Sequence, residues 1–114
     1  KVDAPSGTAL SIAEAMIEGR GSGFDQNEAE LQTLQGTRGG EYNGINVHSA
    51  RMPGRVARHE VVFGARGQTL TMIHDSINRD SFMPGVVLAV KRVVDERRLI
   101  VGLAEVLGLG KSKT

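Results

Sequence analysis

Apolar side chains recur at Ala9, Leu10, Ala13, Met16 and Ile17, with Glu14 and Glu18 between them. Spacings of three and four residues predict a helix from Ser6 to about Gly19 with one face turned inward. Ser6 is suited to cap its start, because its hydroxyl can accept a backbone N–H two or three residues on. Gly19, Gly21 and Gly23 end it, since closely spaced glycines favour left-handed and irregular backbone.

The periodicity then fades. Residues 20–44 are rich in Gly, Gln, Asn and Thr, and a long aperiodic segment of this kind reads as a lid, an interface loop or a mobile stretch. Asp25 to Leu31 allows a short helix. Three strands are predicted beyond it: Ile45 to Met52, Val56 to Gly64, and a third opening at Gly67-Gln68 in which Leu70, Met72 and His74 alternate with Thr71, Ile73 and Asp75. Pro53-Gly54 and Ala65-Arg66-Gly67 are the turn signals between them, which implies two antiparallel hairpins and a three-strand meander. A last long helix follows, capped by Asp80 or Ser81, with Pro84 tolerated in its first turn. Its apolar stripe is Phe82, Val86, Ala89, Val90, Val93 and Val94, and Lys91, Arg92, Arg97 and Arg98 gather toward the end where the helix dipole favours cations. Leu99 to Gly102 is compatible with a further strand and Glu105 to Leu109 with a helical turn. The tail from Gly110 is expected to be disordered.

Composition narrows the picture. At 114 residues the chain makes one domain at most, and with no Trp, one Tyr and three Phe its core must be aliphatic. A net charge of +1 offers no electrostatic case for nucleic acid or an anionic membrane. No apolar run approaches the roughly 20 residues of a membrane span. Without cysteine there are no disulfides or thiolate metal sites, which is compatible with a cytoplasmic location. The chain opens without a methionine, inside a functional motif, and is expected to be the C-terminal part of a larger enzyme.

That motif is Lys1-Val2-Asp3-Ala4-Pro5-Ser6-Gly7-Thr8. Gly7 and Thr8 fall where a helix presents unbonded N–H groups at the positive end of its dipole, a ready place for a carboxylate or phosphate. Lys1 adds a positive charge and a transferable proton. The plainer reading is a capped helix after a turn, with Lys1 solvated. Two glycine patterns lead nowhere. Gly19-Arg20-Gly21-Ser22-Gly23 follows a helix, whereas a dinucleotide fingerprint must follow a strand. Gly110-Lys111-Ser112 lacks the upstream glycine of a P-loop, since position 105 is Glu105. His48, His59 and His74 sit on successive predicted strands; His48 and His74 are candidates to neighbour each other across a sheet, but a metal site needs three or four converging ligands, and none is assigned.

The run KVDAPSGTA closely resembles the substrate-binding signature of the dihydrodipicolinate reductases. Gly44-Ile45-Asn46-Val47-His48-Ser49-Ala50-Arg51, His59 to Gly64, Leu70 to Ser76, and then Arg79, Phe82 and Gly85 continue the likeness over nearly the whole chain. The run Gly54 to Arg58 departs from the pattern, in a region expected to affect assembly or register. The resemblance implies an enzyme of diaminopimelate and lysine biosynthesis, reducing the cyclic imine 4-hydroxy-tetrahydrodipicolinate with NADH or NADPH. It also implies that the Gly7 and Thr8 N–H groups, with the Thr8 hydroxyl, hold one substrate carboxylate, and that Lys1 donates the proton in partnership with an upstream histidine.

The implied fold is an α+β substrate-binding domain. Its mixed or antiparallel sheet shows three strands of the family's four, with flanking helices, and its sheets join four subunits into a homotetramer. Residues 1–80 would form that domain, 81–110 would return to the nucleotide-binding domain, and 111–114 would be tail. The glycine loop that binds the cofactor and the rest of the N-terminal Rossmann domain are missing, so the piece alone is expected to be inactive. Arg79 and Phe82 read either as a helix-start salt link with a core aromatic or as hinge residues facing cofactor. The competing class for the whole is a non-catalytic oligomerisation or interaction module.

Overall fold

Ser6 opens the first helix through its own side chain. In the computed structural model, which describes residues 3–26 and 31–109, helix α1 runs Gly7–Arg20, and Ser6 Oγ accepts the Ala9 N–H at 3.2 Å. A cap of this kind contributes about 1 kcal/mol. At the other end Gly21 takes a left-handed φ of 80° and returns its N–H to the Ile17 carbonyl. The predicted stripe is the one that turns inward: Ala9, Leu10, Met16 and Ile17 are half-buried and Ala13 is 3% exposed.

The aperiodic region contains a hairpin that its composition hides. Strand β1, Gly40–Tyr42, pairs antiparallel with β2, Ile45–Val47. The link is Asn43-Gly44, with φ of 48° and 85°, the paired positive φ of a type I′ turn. Gly44 is required for a second reason, since a Cβ there would stand 1.7 Å from the Phe24 carbonyl oxygen. Phe24 in turn donates its N–H to the Asn43 carbonyl at 3.0 Å, and Tyr42 donates its hydroxyl proton to Glu14 Oε1 at 3.2 Å. That last bond ties the hairpin to α1, on a side of the helix expected to face only water. Residues 27–30, most of the expected Asp25–Leu31 helix, lie outside the described residues; Asp25, Gln26 and Leu31 are not helical.

The chain divides after Gly54 into two compact units. In the second, β3 (Ala57–Ala65) pairs antiparallel with β4 (Gln68–Ser76) in unbroken register from Ala57↔Ser76 to Ala65↔Gln68. Both lie where the second and third strands are predicted. The three-strand meander does not form, however. Among the described residues β2 pairs with β1 and shares no ladder with β3. The physical reason is local: β2 ends at Val47, and the long stretch to Ala57, broken by Pro53-Gly54, cannot compete with a two-residue type I′ link.

A 3₁₀ turn, Arg79–Phe82, leads into α2, Met83–Val93, with Pro84 in the first turn as expected. The cap differs from expectation. Asn78 Oδ1 accepts the Asp80 N–H at 2.8 Å, while Ser81 Oγ sits 3.0 Å from both Ser76 Oγ and the Asn78 carbonyl. Neither Asp80 nor Ser81 caps through its side chain, because one more turn of helix begins ahead of α2. Residues 99–102 form no strand, and α3 spans Leu103–Val106. Arg98 joins this end together, 2.6 Å from Glu105 and 3.5 Å from Glu96, and the Glu105 carboxylate raises its already high pKa. The expected tail lies outside the described residues.

Very little is enclosed. Among the described residues Ala13 is the only buried apolar side chain, and Ser76 the only buried polar one. Large apolar side chains stand open instead on both faces of β3–β4 and along α2. The hairpin carries Val61, Phe63, Leu70 and Met72 on one face and Val62 and Ile73 on the other; Leu70 is 59% and Met72 51% exposed. On α2, Val86, Val90 and Val93, with Phe82 of the preceding 3₁₀ turn, border an apolar groove of about 790 Å³ shared with Leu99 and Leu103.

Candidate functional site

The start of α1 has the features an anion site requires. Its backbone bonds begin with the Leu10 N–H on the Ser6 carbonyl, and Ala9 is taken by the Ser6 hydroxyl. No hydrogen bond among the described residues uses the N–H of Gly7 or Thr8. Both residues are exposed, and a Cβ built on Gly7 would meet nothing within 4 Å, so an anion can approach the backbone directly. The first turn carries no acidic residue to neutralise the dipole. Asp3 is the nearby carboxylate in sequence, and it is exposed.

The approach to this helix is also held. The Ala4–Pro5 peptide is cis. The Asp3 carbonyl oxygen accepts a hydrogen bond from Arg51 Nη2, and Arg51 Nη1 donates to the Ala50 carbonyl at 3.1 Å. Arg51 belongs to the segment following β2, so the helix start and the strand that follows it far along the chain are joined within the first unit. Sequence reasoning gave Arg51 no role. The only signal was its place in the run Gly44–Arg51 that carries the family likeness, because a contact spanning 48 positions leaves no local periodicity. Lys1, the expected proton donor, lies outside the described residues.

The remaining candidates lie on other elements. His74 stands opposite His59 in the β3–β4 ladder, rather than opposite His48, which follows β2 in the other unit. Among the described residues no group of three or more His, Asp or Glu side chains gathers as a metal site would need. Phe82 is 48% exposed on the apolar groove rather than buried as a core aromatic. Arg79, in the same turn, makes no ion pair among the described residues. Tyr42 is a supporting residue of the first unit: its hydrogen bond to the Glu14 carboxylate raises the phenol pKa above its ordinary value, with the carboxylate charge adding to the effect.

The glycine pattern at 19–23 does not fit a dinucleotide. The glycines at 19–23 form the C-terminal cap of α1, the wrong end of a helix for phosphates.

Comparison with known proteins decides the assignment. Residues 1–107 match the family model for the C-terminus of dihydrodipicolinate reductase. This chain belongs to that family. Among curated relatives, it is 52% identical over 107 residues to a 4-hydroxy-tetrahydrodipicolinate reductase of Geobacillus kaustophilus, covering 94% of this chain and 40% of the relative. The counterpart in Shouchella clausii is 49% identical over 107 residues, with the same 94% and 40% coverage. A dipicolinate-bound dihydrodipicolinate reductase from Paenisporosarcina sp. TG-14 superposes with a TM-score of 0.79 at 44% identity, over 92% of this chain and 40% of that one. The chain thus spans about two fifths of the length of these relatives, in their C-terminal part, and its α+β fold is that of the reductase C-terminal domain.

Proposed function

We propose that this chain is the substrate-binding and assembly part of an oxidoreductase that reduces 4-hydroxy-tetrahydrodipicolinate to tetrahydrodipicolinate in lysine and diaminopimelate biosynthesis. The observation that carries the reading is the open N-terminus of α1, in a family where a related structure holds dipicolinate, a planar dicarboxylate. The Gly7 and Thr8 N–H groups, with the Thr8 hydroxyl, take one carboxylate of the substrate. Being fixed dipoles, they need no reorganisation as charge develops in the ring. The 4-hydroxyl leaves as water, hydride adds to the conjugated C=N system, and Lys1 supplies the proton the reaction consumes; a lysine beside a bound dicarboxylate also screens its charge. The reductant is a nicotinamide nucleotide, NADH or NADPH, which supplies hydride and is held by a portion of the protein other than the described residues.

Assembly belongs to the β3–β4 hairpin, whose exposed Leu70, Met72, Val62 and Ile73 suit sheet-to-sheet association into a homotetramer in the cytoplasm. Fully covering side chains of this size is worth roughly 1.5–3 kcal/mol each. Residues 1–80 form the substrate and assembly portion, and 81–110 return to the nucleotide-binding part, which covers the apolar side of α2. A purely non-catalytic assembly module would account for the hairpin but leave the open helix start without a role.

The deciding experiment is an amide-resolved NMR titration with dipicolinate. Shifts centred on Gly7, Thr8 and their neighbours are expected. A folded protein with no response there under saturating dipicolinate would leave assembly as the role of this chain.

A further inference from the structure

Arg51 is the most distant residue in sequence that reaches the entry of α1, and both of its partners there are main-chain carbonyls. Its guanidinium gives one N–H to Asp3 and another to Ala50. A planar fork of donors fixes both acceptors in one geometry, which a flexible ammonium does less well. Asp3 stands three residues ahead of Ser6, with only Ala4 and Pro5 between them. Three residues of chain reach at most about 11 Å. This short lead into the helix is fastened at both ends, at Asp3 by Arg51 and at Ser6 by its cap on the Ala9 N–H.

The lead bears directly on how the open Gly7 and Thr8 N–H groups are presented. Ser6 is extended, with ψ of 153°, so the chain leaves the helical path immediately before the first free donor. A loose lead would have to be ordered each time an anion settled against those donors, and that ordering is subtracted from affinity. A lead already fastened subtracts nothing further.

We infer that Arg51 is a positioning residue for substrate binding: by holding the Asp3 carbonyl it fixes the lead into α1 and keeps Gly7 and Thr8 set for a carboxylate before substrate arrives. The inference rests on the functional reading above and adds to it a residue that need not touch substrate. A contact from beyond β2 then governs how tightly the first turn of α1 holds an anion.

The test uses the full-length reductase that carries this chain, with Arg51→Met, Arg51→Lys, Gly7→Pro and the Arg51→Met/Gly7→Pro double variant. Gly7→Pro removes one anchoring N–H while keeping the helix, since proline suits the first helical position and Ser6 already has the extended backbone that precedes a proline. The readouts are the dissociation constants of dipicolinate and of picolinate, which has a single carboxylate, together with KM and kcat. Arg51→Met is expected to weaken dipicolinate about 10- to 100-fold, the worth of a hydrogen bond from a charged donor. Picolinate should weaken by the same factor, and KM should rise far more than kcat falls. Arg51→Lys should recover part of the affinity, because an ammonium can still donate to the Asp3 oxygen. In the Gly7→Pro background Arg51→Met should cost much less, as two residues acting on one anchor are not additive.

Parent-like dipicolinate affinity in Arg51→Met, or an equal loss in both backgrounds, would overturn the inference. Weakened dipicolinate with unchanged picolinate would overturn it as well, by making Arg51 a ligand of the second carboxylate. Unchanged dipicolinate affinity in Gly7→Pro is a different failure: it removes the anchor from the functional reading, and Arg51's role falls with it. Should Arg51→Met not fold, Arg51→Lys carries the cycle. A loss of affinity confined to the background with Gly7 intact then supports the role, and parent-like affinity removes it.

Discussion

The two units of this chain are built on opposite plans. In the first, polar groups do the joining: Ser6 caps α1, Tyr42 meets Glu14, Phe24 meets Asn43, and Arg51 holds Asp3. It leaves open the Gly7 and Thr8 N–H groups at the helix start, beside separate exposed apolar side chains at Leu31, Leu34 and Met52. In the second unit the ladder of β3 and β4 is complete, yet the side chains it displays are Leu70, Met72, Val62 and Ile73, and α2 displays Val86, Val90 and Val93. An open donor pair waits for a small anion, since water can leave it and a carboxylate can replace the water. An open aliphatic face gains nothing from a small anion and is relieved only by more protein surface. On the function proposed above, the difference teaches that a site for ligand and a site for assembly can be told apart by which kind of group is left unsatisfied.

The contrast breaks most severely at Lys1. In the full-length reductase, Lys1→Ala should reduce kcat by about 100- to 10,000-fold, the usual range for losing a general acid, with assembly measured by sedimentation unchanged. Loss of assembly in that variant would mean the two functions are not separable. Leu70→Glu attacks the other plan. A charge on the exposed hairpin face should weaken association by several kcal/mol, shifting the sedimentation profile toward smaller species. Dipicolinate titration of Gly7 and Thr8 should be preserved.

A third substitution tests whether the first unit depends on backbone approach. Gly44→Ala places a Cβ against the Phe24 carbonyl at a positive φ. It should cost about 1–3 kcal/mol, the scale of local backbone strain, read from urea unfolding, with hairpin amides losing protection before those of β3–β4. Ser6→Ala should be milder, destabilising by about 1 kcal/mol and weakening dipicolinate binding at the same helix start. Wild-type dipicolinate affinity in Ser6→Ala would show that the cap supports the helix without shaping the anion site.

Tyr42→Phe is expected to have the smallest effect, and its signature is in pH. The folded-state pKa of Tyr42 is raised, first by the hydrogen bond to Glu14. The protonated phenol is therefore favoured by folding, so its contribution is fully present below the ordinary value of 10.0 and is lost as pH rises through the folded value. The parent should lose stability along that alkaline limb, and Tyr42→Phe should flatten it. Identical limbs in the two proteins would remove Glu14–Tyr42 from the list of links between α1 and the hairpin.

Much of this molecule was written locally. The stripe of Ala9, Leu10, Ala13, Met16 and Ile17, the Ser6 cap, the alternation along β3 and β4, and Pro84 in the first turn of α2 all depend on neighbours within a few positions, where periodicity and capping act. The Asn43-Gly44 hairpin is equally local but leaves little periodic signal, because its strands are three residues each and sit in a polar stretch without alternation. The family too was legible at once, in the residues of the opening motif. Tertiary structure alone decided that His74 faces His59 and that Arg51 reaches Asp3. Each is a choice among partners far apart in sequence, settled by loop closure and by which backbone groups are left to satisfy, and no short window of residues contains that competition.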